Sequence, residues 1–397
     1  MYAYMDNAAT TMLGAAAKAA MLPLLDENYG NPSSLHRYGQ RAAAALQSAR
    51  ARVAACLGAD PREITFTSGG SEADNQAIFS AAMQGAKSNK KHLISTSIEH
   101  HAVLAYLKGL ESEGFTITLL PVEPETGLVS VHDLESALTD GTCLVSVMMA
   151  NNEIGTIQPV EEIAGLCRER KIPFHTDAVQ AVGHVPVDVR ALGADMLSLA
   201  AHKFHGPKGA GALYCRRGSL PLRPVLLGGA QERGRRAGTE NLPAIVGMAA
   251  ALEEAIKELP ETSARIAGFR DQLIEGLSNI SRAHLNGDRT RRLPGSVSFC
   301  FEGLEGESLL LLLDDRGIAA SSGSACTSGS LNPSHVLLAI GRPHEIAHGS
   351  LRLSLSRYTT REEIDHALAV IPPVAEYLRG ISPVWERILM EERREVG

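Results

Sequence analysis

No two of the six cysteines, at positions 56, 143, 167, 215, 300 and 326, stand close enough to form a CxxC-type zinc or redox motif. That spacing also argues against a disulfide framework, so each cysteine has to be judged singly. No stretch approaches the roughly 18 uninterrupted apolar residues of a membrane span. The opening residues, MYAYMDNAATT, contain neither a basic n-region nor an apolar h-region, and the expected location is the cytoplasm. Excess positive charge is missing too: a formal net charge of −7 offers no bulk attraction to nucleic acid or to an anionic membrane. There is no Walker lysine, no GxGxxG, no internal repeat and no low-complexity segment.

What remains is a chain of 397 residues, 44% hydrophobic, longer than a single core usually supports. Two domains are expected. Apolar runs beginning near residues 64, 92, 115, 143, 172, 196 and 209 alternate with amphipathic stretches that begin near Ser71, His100, Ser130 and Val160. Such alternation predicts a mainly parallel sheet covered by helices on both faces, with functional groups at the C-terminal ends of its strands. A glycine- and charge-rich connection, GGAQERGRRAGTEN, breaks the pattern. From about Glu258 it gives way to a long helix, strands starting at Ser296 and Ser350, and helices after Gly306 and from Thr360. The fold class is therefore α/β, with a large αβα domain over 15–257 and a smaller α+β domain over 258–397. An N-terminal arm, 1–14, is expected to pack with the smaller one. The tail from Glu386 to Val396 reads as a charged helix with a solvated face.

Separate strand ends carry the residues that suggest chemistry. Lys203 follows an apolar run and precedes the turn Gly206-Pro207. A lysine partly desolvated there loses some preference for the ammonium form and suits a Schiff base. Lys208 is a rival, and a lysine snorkelling from a strand end is the ordinary reading. Thr67 runs into Ser68-Gly69-Gly70-Ser71 and then a helix, a corner that suits a phosphate. Equally, Ser71 reads as an N-cap with Asp74 completing a capping box. Asp177, ending another strand, is placed to hold a ring nitrogen protonated, with Gln180 three residues on to reach a ring oxygen; a turn or cap is the alternative. His100 and His101 are adjacent and diverge, so they do not share a metal ion, and one of them reads as an acid/base or stacking group. A phosphate cradle, a ring-nitrogen partner, an imidazole and a Schiff-base lysine together are what a pyridoxal phosphate site needs.

Two further residues complete the set. Cys326 sits among small residues, Ser321-Ser322-Gly323-Ser324-Ala325 before it and Thr327-Ser328-Gly329-Ser330 after it, which points to a reactive thiol. The other five cysteines lie in apolar patterns and are assigned to the core. Arg352 alternates with Leu351, Leu353 and Leu355, so it shares a face with Ser354 and Ser356 that looks toward a cleft or solvent. A guanidinium there suits an amino-acid carboxylate, although a plain surface arginine fits the same pattern.

With these residues in place the sequence resembles the cysteine desulfurases, in the NifS/IscS branch and nearest the NifS type, within the fold-type I, class V aminotransferase-like enzymes that use pyridoxal 5'-phosphate. The motifs run the length of the chain: YMDNAATT, GNPSSLH, EHHAV, NNEIGT, HTDAVQAVG, AHKFHGPKG, QERGRRAGTEN, SSGSACTSGSLNPSH and LRLSLSRYTT. The resemblance implies that Lys203 binds the cofactor covalently, Asp177 pairs with the pyridinium, Gln180 with the ring hydroxyl, and His100 stacks on the ring. Gly70, Ser71 and His202 would hold the phosphate, with Thr239 reaching in from the other subunit of a homodimer. Asn152 and Arg352 would fix the substrate carboxylate, and Cys326 would accept sulfur as a persulfide while L-cysteine becomes L-alanine. An iron–sulfur scaffold or other sulfur-acceptor protein is the implied partner, with nitrogenase maturation as one implied use. A selenocysteine lyase, another β-eliminating enzyme, an aminotransferase or a non-catalytic sulfur-transfer scaffold are the alternatives. One departure stands out: many relatives have serine where this chain has Ala200, which donates no side-chain hydrogen bond.

Overall fold

A computed structural model describes residues 1–323 and 333–396. Five strands, Ile64–Thr67, Thr142–Ser146, Phe174–Asp177, Met196–Ala200 and Gly211–Cys215, are buried at every residue, as a sheet covered on both faces requires. With His92–Thr96 and Thr116–Leu120 they form one seven-stranded sheet. The order across it is Ile64–Thr67, Gly211–Cys215, Met196–Ala200, Phe174–Asp177, Thr142–Ser146, His92–Thr96, Thr116–Leu120. Only Gly211–Cys215 pairs antiparallel with its neighbours, so the other six strands end at one edge. That edge gathers Ser68, Ser97, Val147, Ala178 and Ala201 as the first residues beyond their strands.

A second, antiparallel sheet has the order Ser350–Ser354, Ser296–Phe301, Ala283–Leu285. Its apolar face packs a separate core in which Phe299, Phe301, Leu351 and Leu353 meet Leu273, Leu277, Leu313, Ile364 and Ile371. Fully burying side chains of this size contributes about 1.5–3 kcal/mol each, so this core is a substantial part of what holds the small sheet in place. The two cores are joined by one helix of 37 residues, Leu242–Ser278. Asn241 caps it by accepting from the Ala244 amide at 3.3 Å, and Pro243 stands in its first turn, where no intrahelical amide is needed. Its first part, Leu242 to Ala255, packs on the large core, and Ile266 to Leu277 on the small one. The helix expected from about Glu258 therefore starts at Leu242, and the position expected for the domain boundary falls inside it.

The N-terminal arm ties both parts together. Ala3–Tyr4 pairs in parallel with Ile318–Ala319, and the Asp6 backbone bridges to Ser354. Two helices, Ala15–Leu25 and Arg37–Leu57, precede the first large-sheet strand, and the alternation of apolar runs does not reveal them. Among the described residues no helix is long and apolar enough to cross a membrane.

Candidate active site

The strand Met196–Ala200 ends in a single 3-10 turn, Ala201–Lys203. The Phe204 and Gly206 amides both return to the Ala201 carbonyl, at 3.2 and 2.9 Å, which curls the chain back. His205 takes a left-handed φ of 66°, and a Cβ at Gly206 would lie 2.7 Å from that of Ala201, so glycine is needed there. This turn aims Lys203 over the edge of the sheet. Its Nζ donates to the carbonyls of Ala8 at 2.5 Å and Ala9 at 2.9 Å. Lys208, the rival, is exposed and lines no part of the cavity.

Lys203 opens into a cavity of about 330 Å³. Gly70, Ser71, His100, Asn152, Asp177, Gln180, His202, Lys203 and Arg352 all line it, so nine of the eleven expected site residues converge. Thr239 does not; it lines a different cavity beside Ser68 and Arg236. Cys326 lies outside the described residues.

The corner expected at Ser68 to Ser71 does open a helix, but without a serine cap. The helix is Gly70–Ala86, Gly69 occupies the cap position, and Glu72 rather than Asp74 reaches back, accepting from the Ser68 amide at 2.8 Å. A Cβ at Gly70 would lie 2.6 Å from Val179 Cγ2, so the corner presses on the segment after Asp177. The first amides of that helix have no intrahelical acceptor, and Gly70 and Ser71 line the same cavity as Ala200 and His202. An anion is what such a wall suits.

Asp177 is 6% exposed and ends the strand Phe174–Asp177. Its Oδ1 accepts from the Val179 amide at 2.9 Å. Burial pushes its carboxyl up to about 6, against that amide and the Lys203 charge, which favour the anion. A protonated ring nitrogen beside it would restore the carboxylate. Burial, then the charges of Lys203 and His101, holds His100 below the ordinary imidazole range. His100 also caps the helix His101–Ser112, its Nδ1 accepting from Ala102 N at 3.1 Å, which fixes the ring over the cavity. The His100 and His101 rings lie 6.5 Å apart at 53°, diverging as adjacent residues do. Burial, with the charges of Lys203 and Lys208, brings His202 down to about 4. A helix N-terminus, a buried carboxylate, a neutral imidazole and a lysine amine around one cavity form the donor set that pyridoxal phosphate requires.

Arg352 is 3% exposed on the strand Ser350–Ser354. It donates to the Asn152 carbonyl at 3.1 Å and to Asp6 at 2.9 Å. The alternation read from the sequence is realised: Leu351 and Leu353 enter the small core, and Arg352 turns to the cavity.

The family of class V aminotransferases matches residues 3–367. The cysteine desulfurase IscS of Methanosarcina thermophila is 54% identical over 381 residues, covering 96% of this chain and 94% of that protein. The chain belongs to the cysteine desulfurase family. A cysteine desulfurase IscS of Clostridium botulinum is 53% identical, with 96% of each chain covered. A solved NifS-like protein superposes with a TM-score of 0.89 at 40% identity, over 95% of this desulfurase and all of that chain.

Within the desulfurase site, sequence reasoning missed Asp74. It lines the cavity, 1% exposed, with Oδ1 3.6 Å from His175 Nε2. Burial and the neighbouring Asp177 hold its carboxyl well above the usual range. The signal was its place on the stripe Ala73, Ala77, Ile78 and Ala81, the buried face of the helix. Below it His175, pushed by burial down to about 3, sits between the hydroxyls of Ser146 and Ser198, each at 2.9 Å. Among the other cysteines, Cys143, Cys167, Cys215 and Cys300 are buried as expected, while Cys56 is only half-buried.

Proposed function

We propose that this desulfurase converts L-cysteine to L-alanine and passes the sulfur to Cys326 as a persulfide, using pyridoxal 5'-phosphate held in the 330 Å³ cavity. The observation that carries this reading is the convergence of Lys203, Asp177, His100 and Arg352 on that cavity. When bound, the cofactor supplies an electron sink for charge that develops at the substrate Cα. Lys203 would hold it through Nζ, and Asp177 is placed to favour a proton on its ring nitrogen. Gln180 is placed for the ring hydroxyl, its Nε2 now donating to the Ala8 carbonyl at 3.0 Å. Gly70, Ser71 and His202 would hold the phosphate. Thr239 lines another cavity of its own chain, which leaves it available for a contribution to the site of a second copy. Leu35 and Leu227, 92% and 83% exposed, provide apolar surface for such a homodimer.

Arg352 and Asn152 hold the substrate carboxylate, His100 covers the ring, and the Lys203 amine moves the Cα proton. The Cys326 thiolate then forms an S–S bond as the substrate Cβ–S bond breaks, the electron pair returning to carbon, where a proton completes alanine. The other cysteines support this choice of acceptor. Burial pushes the thiols of Cys56, Cys143 and Cys300 up to about 11 and Cys167 to about 12, and raises Cys215, so each stays a thiol at neutral pH. In this reading residues 15–257 carry the cofactor, 258–397 carry the acceptor cysteine, and an iron–sulfur scaffold or other acceptor protein takes the sulfur. The purified protein is expected to be coloured and to release alanine from L-cysteine without a keto acid. A colourless protein that gains no visible absorbance with added pyridoxal phosphate, or turnover that demands a keto acid, would sink the proposal.

A further inference from the structure

The N-terminal arm lines the cavity through Ala8 and Ala9 and is bonded to both the large-sheet and the small-sheet side of it. On the large-sheet side, Thr11 Oγ1 donates to the His202 carbonyl at 2.8 Å, and Lys203 and Gln180 both donate to the Ala8 carbonyl. On the small-sheet side, Asn7 Nδ2 donates to the Ser354 carbonyl at 2.8 Å, and the Ala8 amide to Ser354 Oγ at 2.8 Å. Over residues 1–14 the arm has one charged side chain, Asp6. That carboxylate accepts from Arg352 Nη2 at 2.9 Å.

A guanidinium whose side chain is 4% exposed needs a counter-charge. Two carboxylates stand near Arg352. Glu153 is buried and accepts from the Ser334 hydroxyl, so its nearer partner is that serine. Asp6 is the one in direct contact, and with a side-chain exposure of 19% it is open enough to meet an arriving charge. Arg352 Nη1 is taken by the Asn152 carbonyl, and Nε has no hydrogen-bond partner among the described residues. A substrate carboxylate reaching Arg352 therefore meets a cation whose charge is already shared.

L-cysteine and L-alanine carry the same carboxylate and differ only beyond it. A grip on that group holds substrate and product alike, and added grip of this uniform kind lowers KM while slowing product departure. We propose that Asp6 is the counter-ion of Arg352 and sets how weakly the site holds amino-acid carboxylates, keeping the arginine in place between turnovers and letting alanine leave. The proposal rests on Arg352 being the carboxylate holder.

The test uses holoenzyme and two probes, L-alanine and ethylamine, which differ only in the carboxylate, titrated by visible absorbance. Asp6→Asn keeps an acceptor for Nη2 and removes the charge. It is expected to tighten L-alanine binding and lower KM for L-cysteine by about threefold to tenfold, with kcat no higher and ethylamine unmoved. Asp6→Ser must shift both constants in the same direction, and Asp6→Glu must return them toward the parent values. Weaker alanine binding in Asp6→Asn, an equal shift with ethylamine, or a Glu variant that behaves like Asn would overturn the proposal. Arg352→Gln separates the two readings: it is expected to abolish the difference between alanine and ethylamine. If that difference survives, Arg352 is not the carboxylate holder, and the role given to Asp6 falls with it.

Discussion

The floor and the roof of the cavity are built differently. The floor comes from successive strand ends of one buried sheet, and burial displaces its groups from their solution behaviour: Asp177 up to about 6 and His202 down to about 4. The roof comes from the arm and the small sheet, and Asp6 and Arg352, which meet there, are 346 positions apart. The difference separates two tasks. On the proposed function, the buried frame tunes the groups placed to hold the cofactor, while the roof, where residues far apart in the chain meet, would set how firmly an amino acid is held.

Substitutions on the two sides should therefore fail in different ways. The largest effect is expected on the floor: Lys203→Ala should cut alanine formation from L-cysteine by about a thousandfold or more, because both the attachment point and the proton-moving amine are lost. Alanine release at near-parental rate would remove Lys203 from its role. On the roof, Arg352→Gln should raise KM for L-cysteine about a hundredfold with a smaller change in kcat, the pattern of a lost binding contact. Equal loss in both regions and both constants would erase the contrast.

Smaller effects sharpen it. Ala200 lines the cavity, and a Cβ at Gly70 would come within 3.7 Å of its Cβ, so Ala200→Ser places a hydroxyl on the anion wall. Cofactor loss from the holoenzyme in buffer should slow about threefold; no slowing would show that the missing serine does not matter. Glu99 is buried beside the floor, its carboxyl pushed by burial up to about 8 against hydrogen bonds from the Met148 amide and the Thr96 hydroxyl. With a folded pKa above its ordinary value of 4.5, its contribution is full at acid pH and is lost as pH rises through about 8. Glu99→Gln should then raise the melting temperature relative to the parent by about 2 °C more at pH 8.5 than at pH 6. An equal offset at both pH values would place Glu99 outside this titration.

Much of the floor was legible in the sequence, because a strand end followed by a glycine, proline or acidic turn is a local signal. Ile64–Thr67 and Ser296–Phe301 appear with the boundaries their apolar runs suggest, and Lys203 and Asp177 stand at the strand ends expected. Arg352 was also readable, since its leucine neighbours settle which face it takes. Asp74 was misread because its spacing from Ser71 imitates a capping box, which Glu72 and Gly69 make unnecessary. The helix Leu242–Ser278 hid the join between the cores, since its residues continue one periodicity while changing the partner they pack against. Asp6 carried no local signal at all: its contact is with Arg352, 346 positions away, and composition does not record such contacts.

The central claim is that sulfur leaves L-cysteine for Cys326, and the direct measurement is to incubate holoenzyme with L-cysteine alone, count alanine and map the persulfide by mass spectrometry. The account predicts persulfide on Cys326, matched in amount by alanine in the first turnover. Persulfide on Cys56, Cys143, Cys167, Cys215 or Cys300 with undiminished alanine would contradict it.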